Sequence, residues 1–158
     1  MKDKIKILFV CHGNICRSPM AEFVFKDMVA KAGLADDFYI ESSAVSSEEI
    51  GNPVYPPVKR LLSANGISCS GKYAKKMTSD DYAKYDFLIG MDNDNLRRMN
   101  RICGGDPCGK IRSLKSFVGN PNGEVADPWY SGDFTATWND VNSACGAILS
   151  MYQSGTLK

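Results

Sequence analysis

Ile5-Lys6-Ile7-Leu8-Phe9-Val10-Cys11-His12-Gly13-Asn14-Ile15-Cys16-Arg17-Ser18-Pro19 joins an apolar run to a short turn, and a helical pattern follows. Ile5 to Val10 reads as a buried strand. Ala21, Val24, Phe25, Met28 and Ala32 then recur at helical spacing until Gly33 stops them. A strand that feeds a helix through a tight turn is the opening unit of an α/β protein, and it directs successive backbone N–H groups into one concavity. Arg17 adds a planar fork of donors that matches two phosphate oxygens. Cys11 at the other end of the turn feels the amides, the helix dipole and the guanidinium, all of which favour a thiolate. The turn therefore reads as a phosphate site with a nucleophile inside it.

The other residues of the turn fit that use. Gly13 lets the backbone approach a ligand, and Asn14 tolerates the left-handed conformation that a tight loop demands. Ser18 either caps the new helix or donates its hydroxyl to the sulfur, and Pro19 suits the start of a helix. His12, Ile15 and Cys16 complete the candidate phosphate-binding loop. Cys16 is either a reversible disulfide partner that protects Cys11 or a small apolar filler.

Further units repeat the pattern. Phe38, Ile40 and Ser42 alternate as a second strand, and Val58, Leu61 and Leu62 lie on a short helix ending at Asn65-Gly66. Thr78 to Asp81 resembles a helix start. Asp86 to Met91 is a third apolar run, Asp92 to Ile102 a helix, and Ile111 to Phe117 a fourth strand. Trp138, Val141, Cys145, Ile148, Leu149 and Tyr152 share one face of a closing helix. Strands alternating with helices predict a single α/β domain over residues 1–158. Its sheet is parallel and four-stranded, flanked by helices on both faces in a flavodoxin-like, doubly wound arrangement.

Composition narrows the partners. Nineteen Lys and Arg against 18 Asp and Glu leave a net charge of +1, so no global field favours nucleic acid or a membrane surface. No apolar stretch approaches the roughly 18 residues that span a bilayer, and the lysine-flanked N-terminal strand is too short for a signal peptide. Six scattered cysteines and a turn that needs a reduced thiol point to the cytoplasm, with a monomer expected. Cys103 and Cys108 have no second Cys or His pair at ligand spacing, so neither a metal nor a cofactor is expected. A leaving oxygen needs a proton, and Asp127, stiffened by Pro128 in a loop before the last helix, is the candidate acid.

The chain resembles the low-molecular-weight protein tyrosine phosphatases from end to end. The shared features are the V-C-x-G-N-I-C-R-S-P turn, Gly51-Asn52-Pro53, Met91-Asp92 and Asp127-Pro128-Trp129-Tyr130. The resemblance implies hydrolysis of phosphotyrosine proteins and small aryl phosphates through a phosphocysteine, without metal. It makes Cys11 the nucleophile, Arg17 and the loop amides the phosphate binders, and Asp127 the proton donor and later the base. Trp129 and Tyr130 become pocket walls. Three positions depart from the family: His12 follows the nucleophile where an apolar residue is usual, Glu48 stands where an aromatic wall is frequent, and Lys72 replaces a histidine. His12 is expected on the pocket rim, and Glu48 to repel acidic substrates. Alternatives on related scaffolds are a protein arginine phosphatase, disfavoured by Ile15 where its relatives carry threonine, and a thiol-coupled arsenate reductase, disfavoured by Met91-Asp92-Asn93 where relay cysteines are needed. A phosphocysteine carrier is disfavoured by Arg17.

Overall fold

A computed structural model describes residues 3–158. Its centre is β1 (Ile5–Cys11), which pairs in parallel with β2 (Phe38–Ala44) on one side and β3 (Phe87–Gly90) on the other. β4 (Ile111–Ser113) adds to β3, so the sheet runs β2-β1-β3-β4, all parallel. The expected four-stranded parallel α/β fold is the one observed.

β1 is apolar at almost every position because it is covered on both faces. Ile7, Phe9 and Cys11 pack with α1 (Arg17–Lys31), α2 (Pro56–Ala64) and α6 (Phe134–Ser154) through Val24, Phe25, Val58, Leu62, Val141 and Ile148. Leu8 and Val10 face the opposite layer, where Met77, Tyr85 and Met99 close the core. Met99 comes from α4 (Asn93–Cys103). Phe9, Phe25 and Phe38 meet edge to face, with ring centroids 6.2 and 5.2 Å apart. Each side chain so buried contributes about 1.5–3 kcal/mol. Gly90 ends β3 where α4 crosses, since a Cβ there would lie 2.9 Å from the Met99 sulfur and 3.0 Å from Leu96.

Two boundaries differ from the sequence reading. The fourth strand stops at Ser113 and Leu114–Val118 winds into a 3₁₀ turn instead of continuing to Phe117. Ser113 causes this: its hydroxyl accepts from the Ser116 N–H at 3.1 Å, capping the turn. The helix start at Thr78 is displaced to α3 (Asp81–Lys84), although the Asp81 carboxylate still reaches back to the Thr78 N–H at 2.9 Å.

β1 is also where the connections change direction, the second strand lying on one side of it and the third on the other. In such sheets the crevice at the carboxyl ends of the strands collects ligands. Cys11 ends β1 and Arg17 follows it, Glu48 follows β2, Asp92 follows β3 and Asp127 follows β4. The strand order brings residues up to 116 positions apart to one rim.

Candidate active site

The turn after β1 wraps a cleft of about 200 Å³, lined by Cys11, His12, Gly13, Ile15, Cys16, Arg17, Glu48, Glu49, Asp127, Trp129 and Tyr130. Every residue assigned to the site from the sequence lines this cleft except Asn14 and Ser18, and both of these are buried beneath the loop, while Lys72 lies outside it. Asn14 has φ of 59°, the one non-glycine in the left-handed region among the described residues. The strain of that conformation is held by three bonds from its side chain. Nδ2 donates to Ser18 Oγ at 2.7 Å and to Ser42 Oγ at 2.9 Å, and Oδ1 accepts from the Lys75 N–H at 3.2 Å.

These bonds also impose a direction. Ser42 Oγ donates to Glu22 Oε1 at 2.5 Å, so it accepts from Asn14. Ser18 Oγ accepts from the same amide, and its own proton faces the Cys11 sulfur 3.0 Å away, with the Ser43 carbonyl a longer alternative at 3.5 Å. The Asn14 N–H is a second donor to that sulfur, at 3.3 Å. Of the two uses open to Ser18, the structure shows the contact with sulfur. α1 begins at Arg17 with no side-chain cap, which leaves its first N–H groups for the cleft.

Glu22 is 2 % exposed and carries the polar end of this chain. Lys26 Nζ lies 2.6 Å from one oxygen and Lys72 Nζ 3.4 Å from the other. Lys72 also donates to the Ser42 carbonyl at 2.8 Å. Lys72 is therefore a buried ammonium, whose pKa burial pulls below the ordinary lysine value against the opposing pull of Glu22. Lys72→Met leaves the Ser42 carbonyl without this donor and Glu22 with Lys26 and the Ser42 hydroxyl. A loss of about 1–3 kcal/mol of stability is expected in urea unfolding, and an unchanged midpoint would show that the ammonium contributes nothing.

Arg17 forms the floor and is 2 % exposed. Nη1 donates to Asp92 Oδ2 at 2.7 Å and to the Val125 carbonyl at 2.9 Å, while Nη2 lies 3.5 Å from Asp127 Oδ2. Burial works against its charge, yet the Cys11 sulfur, the Asp92 bond and the two aspartates outweigh it and raise its pKa. Asp92 divides its carboxylate, since Oδ1 caps α4 by accepting from the Asn95 N–H at 2.7 Å. Asp127 does likewise at α5 (Pro128–Ser131), with Oδ1 on the Trp129 N–H at 3.0 Å and Oδ2 left toward the cleft. The Cys16 thiol is pushed up to about 12, chiefly by burial and then by the Cys11 charge, so it stays protonated at neutral pH.

Around the mouth, Trp129 is 51 % and Tyr130 84 % exposed. Tyr55 backs Trp129 with ring centroids 4.8 Å apart, and its N–H holds the Ile15 carbonyl at 2.9 Å. His12 is on the rim as expected, but Glu48 is not isolated there: Glu48 Oε2 lies 3.0 Å from His12 Nε2. Glu22 and Tyr55 were not singled out from the sequence, Ser42 was read only as a strand position, and Asp92 only as a helix start and part of the shared Met91-Asp92 pair. A helix-capping aspartate directly after an apolar strand was the one local signal for any of them.

A thiol and a guanidinium sharing one strand-to-helix turn, on a doubly wound parallel sheet, define a class of enzymes that handle a phosphoryl group with cysteine. Residues 6–156 match the family model for the low molecular weight phosphotyrosine protein phosphatases, and the chain belongs to that family. It is 34% identical over 150 residues to the Bacillus subtilis low molecular weight protein-tyrosine-phosphatase YfkJ, covering 94% of this chain and 96% of that one. The crystal structure of YfkJ superposes with a TM-score of 0.92 at 33% identity, covering 97% of each chain. The low molecular weight phosphotyrosine protein phosphatase of Sus scrofa is 36% identical over 149 residues, 90% of this chain and 92% of the relative. A drosophila arginine phosphatase structure is also similar, with a TM-score of 0.84 and 28% identity over 94% of this chain and 98% of that one.

Proposed function

We infer that this protein is a cysteine-dependent phosphomonoester hydrolase that dephosphorylates phosphotyrosine in proteins and small aryl phosphates. The observation that carries the reading is the Cys11 sulfur, held by the Ser18 hydroxyl and the Asn14 N–H above a buried arginine. Cys11 attacks phosphorus, a sulfur–phosphorus bond forms, and the bond from phosphorus to the phenolic oxygen breaks. Asp127 gives its proton to that oxygen. Water then attacks the phosphocysteine, passes a proton back to the Asp127 carboxylate and releases phosphate and the sulfur. Arg17 and the amides of residues 12 to 18 bind the oxygens that carry the charge.

No metal or cofactor takes part in this reading. Among the described residues no group of His, Cys, Asp and Glu is arranged to hold a metal ion, and no helix is long and apolar enough to cross a membrane. The partner is a phosphorylated protein, met by a monomer in a reducing cytoplasm, where the thiol stays available. Cys16 lies in the same turn either as a partner for a reversible disulfide with Cys11 or as a small apolar filler, and its raised thiol pKa favours the filler.

The decisive measurement is relative kcat/KM for matched phosphotyrosine and phosphoarginine peptides, without added metal or thiol partner. Phosphotyrosine is expected to be strongly preferred, in keeping with Ile15 on the cleft wall and Trp129 beside it. A preference for phosphoarginine would overturn the reading.

A further inference from the structure

One contact at the mouth plays no part in phosphoryl transfer. His12 Nε2 and Glu48 Oε2 are 3.0 Å apart, and because a carboxylate only accepts, the imidazole donates. The contact is set by main chain rather than by two free side chains. The Ser46 N–H and hydroxyl both bond the His12 carbonyl, at 3.1 and 3.0 Å, which pins the loop bearing Glu48 against the phosphate loop. Glu48 is nevertheless 69 % exposed in its side chain, and the imidazole is its only ion-pair partner among the described residues. Its neighbour Glu49 is turned onto the Asn52 amide at 2.5 Å, with its stem over Gly13.

The charges around the mouth are unequal. Glu48, Glu49 and Asp127 line it as carboxylates, and no lysine does. Arg17 lies on the floor between Asp92 and Asp127, so its charge is already shared. A peptide chain leaving the cleft passes the exposed carboxylate of Glu48, with His12 behind it.

We propose that Glu48, seated on His12, is a specificity-determining residue that favours phosphotyrosine peptides carrying lysine or arginine beside the phosphotyrosine over peptides carrying acidic residues there. The proposal rests on the phosphotyrosine reading above. A cationic neighbour pairs with Glu48, whereas an acidic one meets a like charge held in place by the imidazole. Each exposed pair of this kind is worth about two- to fivefold, so attraction and repulsion together give a preference of about tenfold.

The test uses two phosphotyrosine peptides that differ only in having lysines or glutamates on either side of the phosphotyrosine, compared by kcat/KM at low salt and at about 0.5 M salt. Wild type is expected to prefer the basic peptide about tenfold, chiefly through KM, with the ratio collapsing at high salt. Glu48→Gln is expected to bring the ratio near one and Glu48→Lys to invert it. His12→Leu, which removes the partner and leaves the carboxylate, is expected to keep or raise it. A ratio near one in wild type, or one unmoved in both Glu48 variants, overturns the proposal and leaves phosphotyrosine hydrolysis standing. Turnover of neither peptide by wild type overturns both.

Discussion

Cys11→Ser is expected to lower hydrolysis of para-nitrophenyl phosphate by about 10⁴-fold or more, the scale on which removal of a covalent nucleophile acts. A hydroxyl is nearly the size of a thiol, so the Ser18 and Asn14 donors still find an acceptor and the loop keeps its shape. What is lost is the nucleophile itself, because a serine hydroxyl, unlike a thiolate, must first give up its proton to a base. Inorganic phosphate is expected to bind the variant about as well as it binds wild type, since Arg17 and the loop amides remain. A rate left within tenfold of wild type would remove Cys11 from the nucleophile's role.

The second large effect is that of Asp127→Ala, and its size depends on the substrate. With phenyl phosphate, whose oxygen leaves poorly without a proton, turnover is expected to fall about 10²- to 10⁴-fold. With para-nitrophenyl phosphate, whose oxygen leaves readily as an anion, the fall is expected to be much smaller. Arg17 keeps Asp92 at 2.7 Å and the Val125 carbonyl at 2.9 Å in the variant, so the floor of the cleft persists. A plot of log kcat against leaving-group pKa is therefore expected to steepen. Equal losses along the series would assign Asp127 a structural part alone.

The two halves of the site were legible to different degrees. The turn from Cys11 to Arg17 is local: one strand, one helix and seven consecutive residues set it, so sequence and geometry agree closely. Asp127 was within reach because Pro128 marks a stiff turn, and the structure shows that turn as the first residues of α5. Asp92 was visible as a helix start and as part of the shared Met91-Asp92 pair, with no sign of its role beside Arg17. Its bond to Arg17 spans 75 positions and depends on β3 lying next to β1. Lys72 and Glu48 were recognised as departures, but their partners Glu22 and His12 could not be read from spacing. Both pairings are made by loops folding onto β1 and α1. The fourth strand was read too long because the apolar residues Leu114 and Phe117 continue the run, while the hydroxyl of Ser113 turns the backbone away.

The buried guanidinium touches the segments that follow β1, β3 and β4 at once, whereas Glu48 and Tyr130 stand on the rim in solvent. Laboratory evolution toward new substrates thus faces a divided landscape. Arg17, Asp92 and Asp127 must be varied jointly or left alone, while the outer positions can be randomised one at a time, so successive rounds can change what the enzyme accepts without disturbing how it reacts.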